Sequence, residues 1–373
     1  MRIAIFTYIM DRRAMGTAVY TKNLVDRLVE KSLGNEDEIF LVHREQNNNP
    51  VYKKAKEIIM PKVNLPRLSH LLSEAIFLWK TRNDFDLIHY PQESIYPLFW
   101  LSKAKIAITA HSGVEGWKDF GILRRRWWLV YITFKFFKNR IDKIICVSNF
   151  TRVSIQKFFN IPEEKFSVVH LGINENFKNS DKNQVLNVVQ KLNLRSPYFL
   201  AFGRIDPHKN IPRIIEAYAK VKKEHNIPHS LVVGSRHWPP ENKKVDDLIK
   251  SLELEKDLFF LKYVSDEDMP ALFAGADIVV FPSLHEGFGI PVLEAMAVGT
   301  SVITSNVFAM PEIAGGAAHL VNPTSVEEIA SGIWKILSDI NYKNELIKKG
   351  ILRSLEFNWG KMINETIQIY HSK

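Results

Sequence analysis

The sequence predicts an α/β protein with two doubly wound parallel-sheet domains, and three observations lead to this prediction. Its 373 residues exceed one ordinary core and suit two domains. Short apolar runs alternate with stretches whose apolar residues recur at helical spacing, which is the pattern of parallel strands joined by helices. The alternation pauses at the polar stretch 174–183, the predicted linker, and then begins again.

The first series of elements occupies residues 1–175, the predicted N-terminal domain. It opens with a buried-strand pattern at 2–7, which is followed by Gly16 and then by a helix with Tyr20, Leu24 and Leu28 on one face. Further strands, separated by helical stretches, are predicted at 39–43, 87–90, 106–109 and 143–147. These residues therefore predict one Rossmann-like domain.

The second series occupies residues 184–357 and predicts a second Rossmann-like domain. The predicted strands are 198–202, 230–233, 258–261, 277–281 and 301–304, and the predicted helices are 211–223, 243–251, 266–274 and 290–298. Two such domains would face a central cleft at the carboxyl ends of their strands, so the chemistry is expected in the loops that follow strands. The tail, 358–373, has helical spacing and is expected to pack back on the first domain.

Composition limits where the protein works. Hydrophobic content of 46% with 24% charged residues indicates a folded chain. The single cysteine, Cys146, cannot form an internal disulfide, and no run approaches the roughly 20 apolar residues that span a bilayer. The first apolar run, Ile3 to Met10, is short and is followed by charged residues. We therefore expect a cytoplasmic protein without a signal peptide.

The positive charge is confined to one half of the chain. Residues 1–175 hold 27 Lys and Arg against 18 Asp and Glu, whereas the remainder holds 23 of each. This asymmetry suggests an anionic partner, with lipid headgroups, a phosphorylated acceptor and nucleic acid as the alternatives. Within Trp117–Arg140 seven basic residues and eight aromatics accompany one acid, which favours peripheral attachment to a membrane, although a core-facing helix explains the aromatics equally well.

Two motifs in the second series point to a nucleotide-sugar site. The segment from Glu286 to Glu294 follows a predicted strand and opens a helix whose N-terminal amide groups suit hydroxyl or phosphate oxygens. Its glycines permit close backbone approach, and both glutamates are expected to converge on one ligand. The segment from Gly203 to Asn210 follows another strand, and Arg204 and Lys209 would stabilise the charge that develops on a leaving diphosphate. Asn210 is expected to cap the following helix.

Taken together, the E-x7-E and G-R-x4-K-N patterns resemble the family-4 group of retaining glycosyltransferases with the GT-B fold, over essentially the whole chain. The resemblance implies that Arg204 and Lys209 bind the diphosphate, that Glu286 meets the donor sugar and that Glu294 meets the ribose. His111, in the turn after the strand 106–109, matches the histidine that lies beside the reacting sugar. The catalytic residues implied are His111, Arg204, Lys209 and Glu286.

The donor site implied by the resemblance is larger than these four residues. Where the family often has a Gly-Gly pair after the first strand, this sequence has Met15-Gly16, so only Gly16 can supply a close backbone approach. Tyr263 and Val264 resemble the stretch whose backbone meets the nucleotide base. The full set of implied donor-binding residues is Gly16, Gly203, Arg204, Lys209, Tyr263, Val264, Glu286, Gly287, Phe288, Gly289, Ile290 and Glu294.

No essential metal or other cofactor is predicted. Asp84 and Asp86 could form a metal-binding D-x-D, but they directly precede the strand 87–90 and are better explained as strand-entry residues. The acidic run from Ser265 to Asp268 is better explained as a helix cap and first turn. Arg204 and Lys209 would supply the positive charge that a divalent ion supplies in other transferases.

We therefore predict transfer of a hexose, with mannose or glucose favoured, from a GDP- or UDP-sugar to a glycan or lipid-linked acceptor in cell-surface polysaccharide or glycolipid synthesis. The family resemblance implies that this transfer retains the anomeric configuration. A nucleotide-sugar epimerase of the same fold is the nearest alternative within enzymes. A basic nucleic-acid-binding protein is an alternative from another class, but no recognised nucleic-acid motif supports it. A dinucleotide oxidoreductase is disfavoured because no G-x-G-x-x-G follows the first strand.

Overall fold

The computed structural model describes residues 1–10, 16–32, 37–45, 49–65, 68–118, 127–178, 181–203, 206–234 and 243–372. The chain divides into two compact units. The first comprises Met1–Gly172 together with Trp359–Lys373, and the second comprises Ile173–Asn358. Each unit has its own sheet and its own hydrophobic core.

The first unit contains a seven-stranded parallel sheet in the order β3-β2-β1-β4-β5-β6-β7. Its strands are β1 (Arg2–Phe6), β2 (Glu38–His43), β3 (Lys56–Ile59), β4 (Leu87–Tyr90), β5 (Lys105–Ala110), β6 (Lys143–Cys146) and β7 (Phe166–Val168). Its helices are α1 (Gly16–Ser32), α2 (Ser69–Lys80), α3 (Val114–Lys118), α4 (Trp127–Phe136) and α5 (Asn149–Phe159). The central strands are buried on both faces, as parallel sheets covered by helices require.

The second unit contains a six-stranded parallel sheet in the order β10-β9-β8-β11-β12-β13. Its strands are β8 (Tyr198–Phe202), β9 (Ser230–Gly234), β10 (Leu258–Leu261), β11 (Ile278–Phe281), β12 (Ser301–Ser305) and β13 (His319–Val321). Its helices are α6 (Lys182–Lys191), α7 (Ile211–His225), α8 (Lys243–Ser251), α9 (Met269–Ala274), α10 (Ile290–Ala297), α11 (Met310–Ala314), α12 (Val326–Ser338) and α13 (Ile340–Ser354).

The final helix, α14 (Trp359–His371), belongs to the first unit, where it contacts α1. Trp359 and Tyr370 are buried, and the guanidinium of Arg27 on α1 lies 5.8 Å from the Trp359 ring centroid. Near the end of the helix, the His371 ring lies 2.8 Å from a carboxylate oxygen of Asp37. No helix in the described ranges is both long and apolar enough to cross a bilayer.

Both sheets have a point where the strand order reverses. In the first unit it lies between β1 and β4, and in the second between β8 and β11. At such a point the loops leaving neighbouring strands turn to opposite faces of the sheet and leave a crevice at the carboxyl ends. The loop after β8 begins at Gly203 and the loop after β11 contains Glu286, so both sequence motifs of the second unit lie at its reversal point.

Candidate active site

The centre of the site in the second unit is an ion pair between Lys209 and Glu286. Their Nζ and Oε1 atoms are 2.5 Å apart, and the side chains are only 18% and 15% exposed. The Lys209 ammonium also lies 4.8 Å from the ring centroid of Phe281, at the end of β11. The two motifs are therefore brought together by a direct contact between their charged residues.

Gly203 allows the Lys209 side chain to take this path. Its φ is +152°, and a β-carbon added there would lie 3.1 to 3.3 Å from Cδ, Cγ and Cε of Lys209. The lysine stem thus runs against the bare α-carbon at the end of β8. A backbone bond from Leu284 N to His208 O, 2.7 Å long, joins the same two loops.

Opposing effects set the charge of Glu286. Burial raises the pKa of its carboxyl, but the charge of Lys209, followed by the electrostatic effect of His208 and the hydrogen bond from Lys209, leaves the pKa below its ordinary value. Glu286 is therefore ionised at neutral pH and holds the Lys209 ammonium in place.

The helix that follows Glu286 begins as the sequence predicts. Gly289 takes a left-handed conformation, with φ +101°, immediately before Ile290 opens α10. This conformation favours glycine, and a β-carbon at Gly289 would also displace the flexible end of the Met310 side chain. Pro291 occupies the first turn, where its missing N–H costs no helical hydrogen bond.

Asn210 corrects one expectation. It stands at the N-cap position of α7, but its side chain makes no capping bond to that helix. Its Nδ2 instead donates to the carbonyl oxygens of Pro282 and Pro323, at 3.0 and 2.6 Å, and its Oδ1 accepts from Arg213. Asn210 therefore ties the loops after β11 and β13 to the loop that carries Lys209. Its φ of +62° suits asparagine, which tolerates the left-handed region.

The other expected donor-site residues of the second unit differ in burial. Glu294 is 2% exposed on α10, Phe288 is buried with its ring 5.9 Å from that of Phe357, and Ile290 is partly exposed. After β10, Val264 is buried and Tyr263 is 63% exposed. Gly287 lies between Glu286 and Phe288, and Arg204 lies outside the described residues.

His111 and Gly16 belong to the first unit. The Nε2 atom of His111 is 3.0 Å from the carbonyl oxygen of Pro91, which can only accept, so Nε2 carries the proton and Nδ1 keeps a lone pair. Burial lowers the pKa of His111 to about 4, so the ring is neutral at pH 7. A β-carbon added at Gly16, the first residue of α1, would meet nothing within 4 Å.

Glu93 is a buried acid that the sequence reasoning missed. It follows β4, and its two carboxylate oxygens accept from the backbone N–H of His111 at 3.3 Å and from Nε1 of Trp117 at 3.1 Å. Burial raises the pKa of Glu93 to about 7, against the lowering effect of these hydrogen bonds. No short motif contains Glu93 and His111, so only the fold reveals the contact.

The two acidic segments set aside as metal ligands have structural partners. Asp86 accepts from the backbone N–H of Arg2 at 2.7 Å, which joins the entry of β4 to the start of β1. Ser265 accepts from the N–H of Asp268 and donates to its carboxylate, which in turn pairs with Lys191. Within the described ranges, no three His, Cys, Asp or Glu side chains are grouped to hold a metal ion.

Sequence comparisons cover both units. Residues 15–177 match the family model described as Glycosyltransferase Family 4, and residues 183–353 match the model described as Glycosyl transferases group 1. The chain therefore belongs to the family-4 glycosyltransferases, enzymes with the GT-B fold, as the resemblance predicted.

Named relatives and a solved structure agree with this assignment. The chain is 33% identical to O-antigen chain mannosyltransferase B of Escherichia coli over 61% of this chain and 60% of the relative. It is 25% identical to the MMP alpha-(1->4)-mannosyltransferase of Mycolicibacterium hassiacum over 99% and 98% of the two chains. HepE of Anabaena, solved in complex with UDP-glucose, matches 99% of both chains with a TM-score of 0.78 and 16% identity.

These similarities cover different shares of the related proteins and support different conclusions. The chain spans less than two thirds of the length of the first relative, and three further mannosyltransferases match over less than a third of their own length. The likeness to HepE, at its low identity, establishes the fold and no shared substrate.

Proposed function

We propose that this chain is a retaining, metal-independent hexosyltransferase. It transfers a hexose from a GDP- or UDP-sugar to a glycan or lipid-linked acceptor in cell-surface polysaccharide or glycolipid synthesis. The observation that carries the proposal is the Lys209–Glu286 pair at the reversal point of the second sheet. Among hexoses, the named mannosyltransferase relatives favour mannose.

Lys209 is proposed to stabilise the leaving group. Its ammonium has three N–H donors, and the bond to Glu286 uses one of them. The others can reach phosphate oxygens as the bond between the anomeric carbon and the diphosphate breaks, and they act best where negative charge grows. Family resemblance gives Arg204 the same task. Glu286 is proposed to contact donor-sugar hydroxyls, and Glu294 the ribose.

His111 is proposed to lie beside the reacting sugar. Because Nε2 is committed to Pro91, the lone pair on Nδ1 can accept a hydrogen bond from a sugar hydroxyl. We propose front-side attack, in which the acceptor oxygen bonds to the anomeric carbon on the face that the diphosphate leaves. The configuration is retained because the new bond forms on that same face, and the acceptor proton passes to the departing phosphate oxygen.

A transfer assay tests this function. Purified protein in excess EDTA is incubated with GDP-mannose or UDP-glucose and a membrane lipid extract, and the products are examined by NMR. Release of the nucleoside diphosphate together with an α-linked product would support the proposal. An epimerised nucleotide sugar with no transfer would instead establish the epimerase alternative, and a requirement for added Mg²⁺ or Mn²⁺ would contradict metal independence.

We also propose that α4 attaches the enzyme to an anionic membrane surface. One face of this helix packs into the core through Leu129, Val130 and Phe134, while Trp128 and Phe136 are 53% and 69% exposed. A helix whose solvent-facing side is apolar, in addition to its core-facing side, is suited to the membrane interface. The arginines at 124–126, which precede α4, lie outside the described residues; they contribute to the basic character of this half in the sequence.

Vesicle flotation tests the attachment. A Trp128→Ser/Phe136→Ser double variant is expected to bind vesicles of equal parts phosphatidylcholine and phosphatidylglycerol at least about tenfold less tightly, because each ring loses on the order of 1 kcal/mol of burial. The control, Leu352→Ser/Leu355→Ser, removes side chains of 59% and 60% exposure from the second unit. Equal binding by wild type and both variants would contradict the proposal.

A further inference from the structure

A chain of buried polar groups runs through the first unit from the C-terminal helix towards His111. The hydroxyl of Tyr370 on α14 lies 2.5 Å from Nδ1 of His89, and Nε2 of His89 lies 2.8 Å from the hydroxyl of Thr109. The Thr109 hydroxyl is 3.0 Å from that of Tyr20 on α1. All four side chains are at most 1% exposed.

The chain ends against the His111 ring. The rings of Tyr20 and His111 meet edge to face, with centroids 4.8 Å apart. His111 is held on its other sides by the Pro91 carbonyl and by the Glu93 carboxylate at its backbone N–H. Tyr20 thus packs against the His111 ring on the side of α1.

The two nitrogens of the His89 ring couple the hydrogen bond of Tyr370 to that of Thr109. Burial keeps His89 neutral, with its pKa lowered to about 3, so one ring nitrogen donates and the other accepts. If Tyr370 donates to Nδ1, the Nε2–H donates to Thr109 and the Tyr370 proton has an acceptor within the chain. In the opposite tautomer the Nδ1–H donates to Tyr370, the Thr109 hydroxyl donates to Nε2 and the Tyr20 hydroxyl donates to Thr109, so all three contacts are hydrogen bonds in either tautomer.

We infer that Tyr370 is a positioning residue for His111, acting through His89, Thr109 and Tyr20. Its hydroxyl bonds to Nδ1 of the His89 ring, Nε2 of that ring bonds to the Thr109 hydroxyl, and Tyr20 is anchored to the same hydroxyl. The C-terminal helix thereby helps to set the ring that we place beside the reacting sugar. The catalytic part of this inference rests on the proposed function, whereas the positioning itself does not.

NMR of isotope-labelled histidine side chains in the full-length protein tests the positioning directly. In Tyr370→Phe, we expect His89 Nδ1 to lose its hydrogen bond and the His111 ring signals to shift. The control is Tyr218→Phe, which removes an equally buried hydroxyl whose bond goes to the His229 carbonyl in the second unit. It should leave both rings as in wild type. Unchanged His111 signals in Tyr370→Phe would overturn the inference.

A second pair of variants keeps the test decisive if Tyr370→Phe folds poorly. Thr109→Val keeps the shape and removes the hydroxyl, so the His111 signals should shift as in Tyr370→Phe. Thr109→Ser keeps the hydroxyl and should restore the wild-type signals. Identical His111 signals in both Thr109 variants would contradict a hydrogen-bonded chain.

Kinetics separate this inference from the proposed function. For Tyr370→Phe and Thr109→Val we expect kcat to fall about tenfold to a hundredfold, with KM for the nucleotide sugar unchanged, as misplacement of a reacting-site group predicts. If wild type transfers no sugar, the proposed function fails while the NMR result still decides the positioning. Shifted NMR signals with an unaltered kcat would overturn the catalytic part alone.

Discussion

At the scale of single residues, the buried Lys209–Glu286 ion pair has a proposed role at the donor site and gives little net stability to the fold. Both side chains are more than four-fifths buried. The free-energy cost of removing two charges from water therefore offsets much of the stabilisation that their attraction gives. The arrangement does, however, hold an ammonium group rigidly at the carboxyl ends of β8 and β11 before any ligand arrives.

Substitution of Lys209 tests this explanation. Lys209→Met keeps the stem against Gly203 and removes the charge, so we expect kcat to fall about 10²- to 10³-fold, as when one transition-state donor is lost. The measurement is release of nucleoside diphosphate, with thermal melting to verify the fold. Lys191→Met is the matched control, because its ammonium pairs with Asp268 at 2.7 Å on the exposed surface of the same unit. Equal turnover in the two variants would refute the role of Lys209.

Glu93 predicts a dependence of stability on pH. Its ordinary pKa is 4.5, and burial raises it to about 7 in the folded protein. Its stabilising contribution is therefore complete below pH 4.5 and is lost as the pH rises through about 7, by up to roughly 3 kcal/mol. Urea unfolding at about pH 5 and about pH 8 should show this loss in wild type and not in Glu93→Gln. Parallel pH profiles for the two proteins would contradict a raised pKa.

The sequence motifs name candidate site residues, but they do not give the contacts between those residues. Lys209 and Glu286 were recognised within motifs, because each motif is contiguous and follows a strand. Their direct pairing, the clamp at Asn210 and the bond from Glu93 to His111 join residues far apart in sequence. Such contacts depend on which strands become neighbours, and residue spacing within a motif carries no information about that.

At the scale of elements, glycine is present at Gly203 and Gly289 for a different physical reason than at Gly16. Gly203 and Gly289 have positive φ and crowded α-carbons, so the fold itself favours glycine there. Gly16 begins α1 with open space around its α-carbon, so the described protein gives no reason for glycine. The reason that we propose is the close approach of a ligand to the backbone, as the family resemblance implies.

Gly16→Ala therefore separates ligand binding from folding. We expect an unchanged or slightly raised melting temperature, because alanine favours a helix, together with a weaker affinity for donor or acceptor. Gly203→Ala should instead lower the melting temperature, because its β-carbon crowds Lys209. Thermal melting and KM values measure both effects. Full affinity in Gly16→Ala would remove Gly16 from the donor-binding set.

The strands predicted from sequence are the five inner strands of the first sheet and every strand of the second sheet except β13. β4 and β10 match their predicted bounds, because each is a compact apolar run between polar residues. β3, β7 and β13 were missed. All three are edge strands of three or four residues, and β3 begins with Lys56 and Glu57, so pairing with a neighbour rather than apolar content defines them.

At the scale of the whole molecule, the first unit is completed by the end of the chain. The chain leaves this unit after Gly172 and returns at Trp359. The returning helix buries Trp359, Met362, Ile363 and Tyr370, so its removal would uncover the apolar surface that receives them. Stability of the first unit thus depends on residues that follow the second.

A truncation after Asn358 should therefore destabilise the first unit selectively. We expect its melting transition to move down by many degrees, since four large buried side chains are each worth about 1.5 to 3 kcal/mol. The second unit has its own core and should melt as before. Calorimetry of the truncated and full chains measures both transitions. If neither transition moved in the truncated chain, the first unit would not depend on α14 for its stability.

The most direct test of the central claim is a thermal-shift measurement with UDP, GDP and their hexose conjugates in excess EDTA, on wild type and on Lys209→Met. At about 100 times its dissociation constant, a ligand should add roughly 2.7 kcal/mol of stability. The account predicts a clear shift with one nucleotide family in wild type and a much smaller shift in Lys209→Met. No shift with any nucleotide until Mn²⁺ or Mg²⁺ is added, or equal shifts in both proteins, would contradict a metal-independent donor site built on Lys209.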